Sequence, residues 1–242
     1  MSAQEHQIAG FRLSPQQELL LGRGGQNAIA QCAAFVTVSA DELRQGLRGA
    51  VKRHEILRTA FPQTAGLRAR TQVIRDSPEF EWITRAEPVE SEPEWLAGVL
   101  AAEAERPFDL DHGPLVRALL IGAGEDPGLV VLSAHAACAD AASLAIVLRE
   151  AIGGGGLSPD PVQYADYAQW RHELITGEEP ETDDADTFWR ANADAPADRA
   201  RLLFERRPTD GTKHSGMSRV SVNLEAETVS AAAERYGATE PR

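Results

Sequence analysis

The sequence has few of the residues that covalent or metal cross-links require. Its 242 residues include only two cysteines, Cys32 and Cys138, which are too few for a disulfide framework or a zinc ligand set. None of the six histidines stands four residues from another, so the histidine pair of helical zinc sites is missing too. We therefore expect no bound metal, and the low cysteine content favours the cytoplasm.

Long hydrophobic runs and clustered positive charge are also missing. No apolar run approaches the roughly 18–20 residues of a membrane span, and residues 1–14 lack the basic and apolar regions of a signal peptide. With 24 basic and 37 acidic residues the net charge is −13, which argues against a nucleic acid or an anionic membrane as a partner. Residues 178–186 hold six acidic side chains, a segment that we interpret as solvated surface.

The rest of the composition is that of an ordinary globular protein, with 43% hydrophobic and 25% charged residues. Helix-like and strand-like patterns follow one another without regular alternation, which predicts an α+β domain rather than a doubly wound sheet. Two capping boxes predict helix starts. Ser39 with Glu42 is followed at helical spacing by Leu43, Leu47, Ala50 and Val51, and Ser91 with Glu94 by Trp95, Val99 and Leu100 on one face. The strands are predicted at residues 29–38, 57–61, 70–74, 79–83, 115–121, 129–134 and 217–224. The first is predicted to be buried, and 115–121 with 129–134 are predicted to form a hairpin.

Five short motifs occur in order along the chain. They are LSPQQ at 13–17, RHEILRTAF at 53–61, PFDL with GPLVRA at 107–118, YADYAQW at 164–170 and FWR at 188–190. Together they resemble the condensation domains of nonribosomal peptide synthetases, over the whole chain but only the first half of that domain. The resemblance implies a chloramphenicol acetyltransferase-like fold, in which two lobes enclose a tunnel and a mixed, mostly antiparallel sheet packs against helices.

This resemblance sets the expected domain organisation. We predict a condensation-type N-terminal lobe over residues 1–175 and an acidic linker with a helix over 176–216. Residues 217–242 are predicted to begin a truncated C-terminal lobe, so that the second lobe is largely missing.

The resemblance also implies a reaction, the attack of an acceptor amine on a donor thioester to give an amide. Carrier proteins would deliver both groups on phosphopantetheine arms. The family signature H-H-x-x-x-D-G matches HAACADA at 135–141, where Ala136 replaces the second histidine, to which the family's chemistry is assigned. His135 stands at the first, mainly structural position. Because neighbouring side chains of a strand point to opposite faces, His135 is expected to point away from Ala136.

Asp140 and the charged residues of the second motif have structural interpretations beside the functional ones. Asp140 fits the N-cap of the next helix or, as the family implies, an ion pair for which Arg58 is the candidate partner. Arg53 and His54 belong to the motif, but cations at a helix C-terminus are also ordinary complements of the helix dipole. Both interpretations stay open here.

Three other features are predicted to be structural. Cys138 is expected to pack rather than react. The aromatic residues Tyr164, Tyr167 and Trp170 are predicted to lie on a helix face against the core. The glycines at 153–156 are not followed by the Lys-Ser/Thr pair of a phosphate loop and are interpreted as a connector.

These observations predict a catalytically degenerate condensation-type lobe that acts as a scaffold or docking element for carrier proteins or neighbouring synthetase domains. No cofactor is expected on the chain itself, since phosphopantetheine would be carried by its partners. The alternative is an active acyltransferase that uses His135 or a group from another chain, with a separate C-terminal lobe completing the tunnel. A remnant without a role is the third possibility. An isolated lobe is expected to bind a partner chain or to self-associate through its exposed face.

Overall fold

The computed structural model describes residues 10–22, 25–63, 70–90, 92–122, 127–153, 161–176, 180–193 and 225–237. The helices are α1 (Pro15–Gly22), α2 (Ala40–Arg53), α3 (Pro93–Ala104), α4 (Ala141–Gly153), α5 (Tyr164–Thr176), α6 (Pro180–Ala193) and α7 (Ala226–Tyr236). The strands are β1 (Ile29–Val36), β2 (Thr59–Ala60), β3 (Val73–Ile74), β4 (Glu81–Arg85), β5 (Val116–Ile121) and β6 (Gly128–His135). The strand predicted at residues 217–224 lies outside the described residues.

A four-stranded mixed sheet carries the fold. Its order is β1-β6-β5-β4, in which β1 and β5 both run antiparallel to β6 while β4 runs parallel to β5. A separate antiparallel pair joins β2 and β3. The predicted hairpin of β5 and β6 is therefore confirmed, and so is the α+β fold class.

The two central strands are buried on both faces, which explains their nearly continuous apolar sequence. On one face, Leu120 and Leu132 pack against α2 and α4. On the other, Leu119 and Val131 pack against α3. Strand β1 is an edge strand and is only half-buried, which corrects the prediction of a buried strand there.

Helix α2 forms as its sequence predicts. The Ser39 hydroxyl accepts a hydrogen bond from the Glu42 N–H, and the Glu42 carboxylate accepts one from the Ser39 N–H. The hydrogen bond from the Ser39 hydroxyl to the Glu42 carboxylate, together with that from the Ser39 N–H, lowers the pKa of Glu42. The core side of α2 is buried at the four predicted positions, Leu43, Leu47, Ala50 and Val51.

The second predicted capping box is wrong. Helix α3 begins one residue later, with Glu92 as its N-cap and Pro93 in its first turn; the Glu92 side chain makes no capping hydrogen bond, and Ser91 lies outside the described residues. Proline suits that position because its fixed φ is helical and its missing N–H has no partner to lose. The helix still packs Trp95, Val99 and Leu100 toward the sheet, as predicted.

The predicted core face of α5 is also wrong. Tyr167 and Trp170 are 37% and 54% exposed, whereas Ala165 and Ala168 are buried. The three aromatic rings instead follow one another along the helix surface, with centroids 5.6 and 6.0 Å apart. Small side chains let a helix approach its neighbours closely, so this helix turns its alanine face to the core and its aromatic face to solvent.

The chain divides into two compact units, Met1–Arg190 and Ala191–Arg242. The described residues of the second unit are 191–193, at the end of α6, and 225–237, which contain α7. Helix α7 ends at Gly237 in the left-handed conformation that favours glycine. The boundaries predicted at residues 175 and 216 stay a prediction. None of the helices within the described ranges is long and apolar enough to span a bilayer.

Candidate functional site

The turn between β6 and α4 forms the floor of a cleft of about 400 Å³. Residues 136–140 line it together with side chains from α4 and from the segment after α2, namely His54, Ile56, Leu57, Ser143, Ile146 and Val147. A second depression of about 500 Å³ lies toward α1. The two share Ala136, Ala137 and Tyr164, so the signature turn separates and borders both.

His135 is fully buried and both ring nitrogens are hydrogen-bonded. Its Nδ1 accepts from the Ala137 N–H at 3.2 Å, so Nε2 carries the proton and lies 3.0 Å from the Gly25 carbonyl oxygen. Ala136 is exposed and borders both depressions. The expectation that the two side chains point to opposite sides is confirmed. From the buried side, the His135 ring stabilises the turn through its two hydrogen bonds.

The backbone N–H groups of this turn are likewise occupied. The Ala136 N–H donates to the Ala28 carbonyl oxygen at 2.8 Å, and the Cys138 N–H donates to the His135 carbonyl oxygen, also at 2.8 Å. The Ala137 N–H is held by the His135 ring. Stabilising an oxyanion requires donors aimed at the reacting carbonyl, and these three groups are already used.

Asp140 is the N-cap of α4. Its carboxylate accepts a hydrogen bond from the Ser143 N–H at 2.7 Å, and the hydrogen bonds from Ser143 lower the pKa of Asp140. The suggested ion pair with Arg58 is wrong. Arg58 lies 3.1 Å from the Glu55 carboxylate and also donates to the Arg75 carbonyl oxygen. Because Arg58 follows Glu55 by three residues, their side chains are close enough to pair locally.

The N-cap assignment gives a direct test. Replacing Asp140 by alanine is expected to lower the free energy of unfolding by about 1 kcal/mol, because the first turn of α4 loses its side-chain acceptor. Asp140→Asn keeps an acceptor oxygen and is expected to stay within a few tenths of a kcal/mol of the parent chain. Urea unfolding followed by circular dichroism measures both. An asparagine variant as unstable as the alanine variant would contradict a capping role.

Arg53 and His54 connect α2 to α4 through one carboxylate. Arg53 Nε lies 3.2 Å from Glu150 Oε1, and His54 Nε2 lies 2.7 Å from Glu150 Oε2. Glu150 itself is largely buried. Arg53 and His54 therefore share an acidic partner on a neighbouring helix, in addition to their place at the C-terminus of α2. No sequence signal marks Glu150, because its partners lie about a hundred residues away.

The first three motifs meet next to the signature turn, although the sequence separates them widely. Their apolar members form a single buried cluster with the signature turn: Leu13, Phe61, Phe108, Leu110, Leu115, Ala137 and Cys138. Burial raises the pKa of the Cys138 thiol well above its ordinary value, which confirms a packing role. The motif residues therefore build the support of the turn.

Gln17 is the polar part of that support. It is buried, and its amide nitrogen donates to the Ala137 carbonyl oxygen at 3.0 Å and to Gln72 Oε1 at 3.2 Å. Its Oε1 accepts from the Ser14 N–H while the Ser14 hydroxyl accepts from the Gln17 N–H, a reciprocal cap of α1. In the sequence, Gln17 is marked only as the last residue of the first motif. Its position three residues after Ser14 was the one signal that could have predicted this capping pair.

Metal binding has no support in the described part of the chain, where no three potential ligand side chains group together. The site thus consists of an apolar cleft with His54, Asp140, Ser143 and Tyr164 at its polar positions.

Comparison with known proteins identifies the family. The condensation-domain family model matches residues 29–240. The chain belongs to the condensation-domain family. Phosphinothricin tripeptide synthetase PhsC of Streptomyces viridochromogenes is 31% identical over 96% of this chain and 22% of its own length. A linear gramicidin synthase of Brevibacillus parabrevis is 32% identical over 81% of this chain and 3% of its own length. The chain therefore corresponds to a small part of these nonribosomal peptide synthetases.

Solved structures give the same fold. A condensation domain that mediates chain release from the enacyloxin polyketide synthase is 25% identical, with a TM-score of 0.62 over 77% of this chain and 38% of that one. The condensation domain of the polyketide synthase MokA has a TM-score of 0.69 over 96% and 57% of the two chains. The X-domain of teicoplanin biosynthesis, solved in complex with OxyB, has a TM-score of 0.63 over 100% and 55%. This condensation-domain chain thus spans about half of each fold or less.

Proposed function

We propose that this chain is a binding module of nonribosomal peptide biosynthesis, which docks carrier proteins or neighbouring synthetase domains and does not itself form the amide bond. The observation that carries the proposal is Ala136, an exposed methyl group at the cleft position where the family signature has its second histidine. A methyl group neither accepts a proton nor orients an amine.

The signature turn itself gives no substitute for the missing imidazole. His135 is buried and hydrogen-bonded through both ring nitrogens. The N–H groups of Ala136, Ala137 and Cys138 already have partners, which leaves them unable to polarise a thioester carbonyl. The alternative of an active acyltransferase based on His135 would need this ring to break both bonds and leave the core.

The retained framework supports a binding role. The first three motifs contribute to the buried cluster beside the turn, and Tyr164 of the fourth motif lines the cleft, so the fold has kept its shape where it has lost a reactive group. The teicoplanin X-domain shares this fold and was solved in complex with another protein, OxyB. Binding a protein partner is therefore compatible with a condensation-type fold. Phosphopantetheine would enter only as the arm of a docked carrier protein.

A binding experiment tests the proposal. Carrier proteins with and without the phosphopantetheine arm, and the flanking synthetase domains, are titrated onto the immobilised chain. Saturable binding of at least one of them is expected with a dissociation constant near the micromolar range of transient contacts. The mixture of two loaded carriers is expected to yield no amide, with or without an added second lobe.

Two outcomes would overturn the proposal. One is the absence of binding to every carrier and every flanking domain. The other is amide formation by the parent chain, with His135→Ala as the variant that attributes turnover to that ring. A far-ultraviolet circular dichroism spectrum of the variant is recorded first, because His135 is part of the buried support.

A further inference from the structure

The two outer strands of the four-stranded sheet differ in how their sequences protect them. At one edge, β4 has five residues and includes Glu81 and Arg85, charges of the kind that discourage pairing with another chain. At the other edge, β1 has eight residues, and residues 26–40 around it contain neither a charge nor a proline. Strand β1 also pairs with β6 over its whole length without a bulge. The usual sequence protections of an edge strand are therefore missing from β1.

Alternate residues of β1 direct their backbone groups away from the sheet. The Ala136 N–H donates to the Ala28 carbonyl oxygen, which makes these two residues a hydrogen-bonded pair. Because such pairs alternate along antiparallel strands, the even-numbered residues of β1 bond to β6 and the odd-numbered residues present their N–H and C=O groups at the outer edge. These outward residues are Ile29, Gln31, Ala33 and Phe35. Their backbone groups pair with no other residue in the part of the chain that the structure describes.

The outer edge of β1 is complementary to a second copy of itself. The antiparallel register that pairs all four outward residues with one another places Cys32 of one copy opposite Cys32 of the other. Ile29 then lies opposite Phe35, and Gln31 lies opposite Ala33, so each outward N–H meets an outward carbonyl oxygen. The Phe35 side chain is 55% exposed, and a β-branched residue opposite an aromatic one is a stabilising cross-strand pair.

Charge favours a copy of the same chain as the occupant of this edge. The chain carries a net charge of −13, yet residues 26–40 carry none, so two copies can meet along β1 without like charges facing each other. A partner selected by charge would need complementary charges at the edge, and this segment provides none. The contact uses the same surface on both copies, and each four-stranded sheet has one such edge, so the assembly closes as a dimer.

From this geometry we propose that the outer edge of β1 is a dimer interface, at which two copies of this chain join their sheets antiparallel with Cys32 facing Cys32. Backbone hydrogen bonds supply the affinity, and the contact of Phe35 with Ile29 of the other copy fixes the register. The inference does not depend on the proposed function, since no residue of β1 lines either depression beside the signature turn.

Amide hydrogen exchange at residue resolution tests the interface. Nuclear magnetic resonance follows exchange in the full chain at about 20 µM and about 1 mM, a range that spans weak self-association. The outward N–H groups of Ala33 and Phe35 are expected to exchange at least about tenfold more slowly at the higher concentration. The N–H groups of Cys32 and Ala34 bond to β6 and are the internal control, with little change expected. Sedimentation velocity over the same range measures the dimer mass.

Disulfide trapping tests the register. Directly opposite residues of a non-hydrogen-bonded pair have Cα atoms about 4.5 Å apart, which is within disulfide range. Oxidation by oxygen with copper phenanthroline, which removes the two thiol hydrogens, is expected to give a Cys32–Cys32 dimer that dithiothreitol reverses. Cys32→Ser is expected to dimerise in sedimentation but to form no covalent dimer. The buried Cys138 thiol is expected to stay unreacted.

Variants separate the backbone contact from other causes of association. Ala33→Pro removes an outward N–H from the middle of the edge and leaves the hydrogen bonds to β6 in place, so it is expected to weaken dimerisation at least about tenfold. Ala33→Ser keeps that N–H with a side chain of similar size and is the matched control. Phe35→Lys is expected to weaken dimerisation about fivefold, although it makes the net charge of each copy less negative.

Several results would overturn the inference. They are a monomer at the highest concentration, equal dimerisation of Ala33→Pro and Ala33→Ser, and the absence of a covalent dimer in the parent chain. Protection of the outward N–H groups only when a carrier protein or a flanking synthetase domain is added would assign the edge to that partner instead. If Ala33→Pro fails to fold, Phe35→Lys is measured against the parent chain with the same criterion.

Discussion

Replacing Gly46 by alanine is expected to lower the free energy of unfolding by about 3 kcal/mol, the upper part of the range for overpacked cores. A Cβ atom at this position of α2 would lie 2.0 Å from the Ala151 carbonyl oxygen and 2.8 Å from its carbonyl carbon, both in α4. The obstacle is helical backbone, which cannot rotate away as the end of a side chain can. The two helices would have to separate, although they cover one face of the sheet together.

Gly49 is the matched control on the same helix. A Cβ atom there meets no neighbouring atom within 4 Å. Gly49→Ala is therefore expected to raise the free energy of unfolding by about 0.5–1 kcal/mol, because alanine loses less backbone entropy in a helix than glycine does. Urea unfolding of both variants gives the comparison. If Gly46→Ala is as stable as Gly49→Ala, the close contact of α2 with α4 is incorrect.

Replacing Arg117 by methionine is expected to lower the free energy of unfolding by about 3 kcal/mol, since the buried Glu103 carboxylate then keeps only the partly exposed Arg106 and Arg85 as counter-charges. Arg117 is 3% exposed and Glu103 is fully buried. The Arg117 guanidinium lies 2.7 Å from a Glu81 oxygen and 3.4 Å from a Glu103 oxygen, and it stands 4.5 Å from the Phe108 ring centroid. The ion pairs of Arg117 with Glu81 and Glu103 therefore link β5 to β4 and to α3.

Arg106 is the matched control for Arg117. It contacts the same two carboxylates, but its side chain is 38% exposed. Because water screens such a pair, Arg106→Met is expected to cost less than about 1 kcal/mol. Adding Glu103→Gln to the Arg117→Met variant removes the buried charge that has lost its buried partner and is expected to recover part of the loss. Equal losses in the two arginine variants would refute the buried network.

Acid titration gives a second measurement of this network. Burial raises the pKa of Glu81, but the hydrogen bonds and charges of Arg117 and Arg106 outweigh it, and the net pKa lies below its ordinary 4.5. A lowered folded-state pKa contributes stability that is complete above the unfolded-state value and is lost as the pH falls through the folded-state value. The stability of the parent chain is therefore expected to fall more steeply in acid than that of Arg117→Met.

Sequence patterns predicted the elements whose causes are local. The capping box of α2, the core positions of that helix and the apolar strands β5 and β6 follow from residues near one another in the chain. The predictions failed where a neighbour in space decided the outcome. The aromatic positions of α5 have a helical spacing suited to the core, yet the alanine face of the helix packs inward.

The candidate site shows the same division. The sequence located the signature turn, the alanine at its second position and the opposite directions of His135 and Ala136, because strand alternation is a local rule. The sequence suggested Arg58 as the partner of Asp140, whereas in the structure Arg58 forms an ion pair with Glu55, three residues away. It gave no sign of Glu150, which pairs with Arg53 and His54 only after α2 and α4 pack together.

By itself, then, the sequence determined the family, the fold class and the replacement of the signature histidine by Ala136, since motifs and their spacing are properties of the chain. Only the tertiary structure decided that His135 is hydrogen-bonded within the core and that His54 stands at the cleft with Glu150 behind it. The physical reason is that hydrogen bonds and ion pairs depend on distances of about 3 Å between groups that the chain separates by many residues.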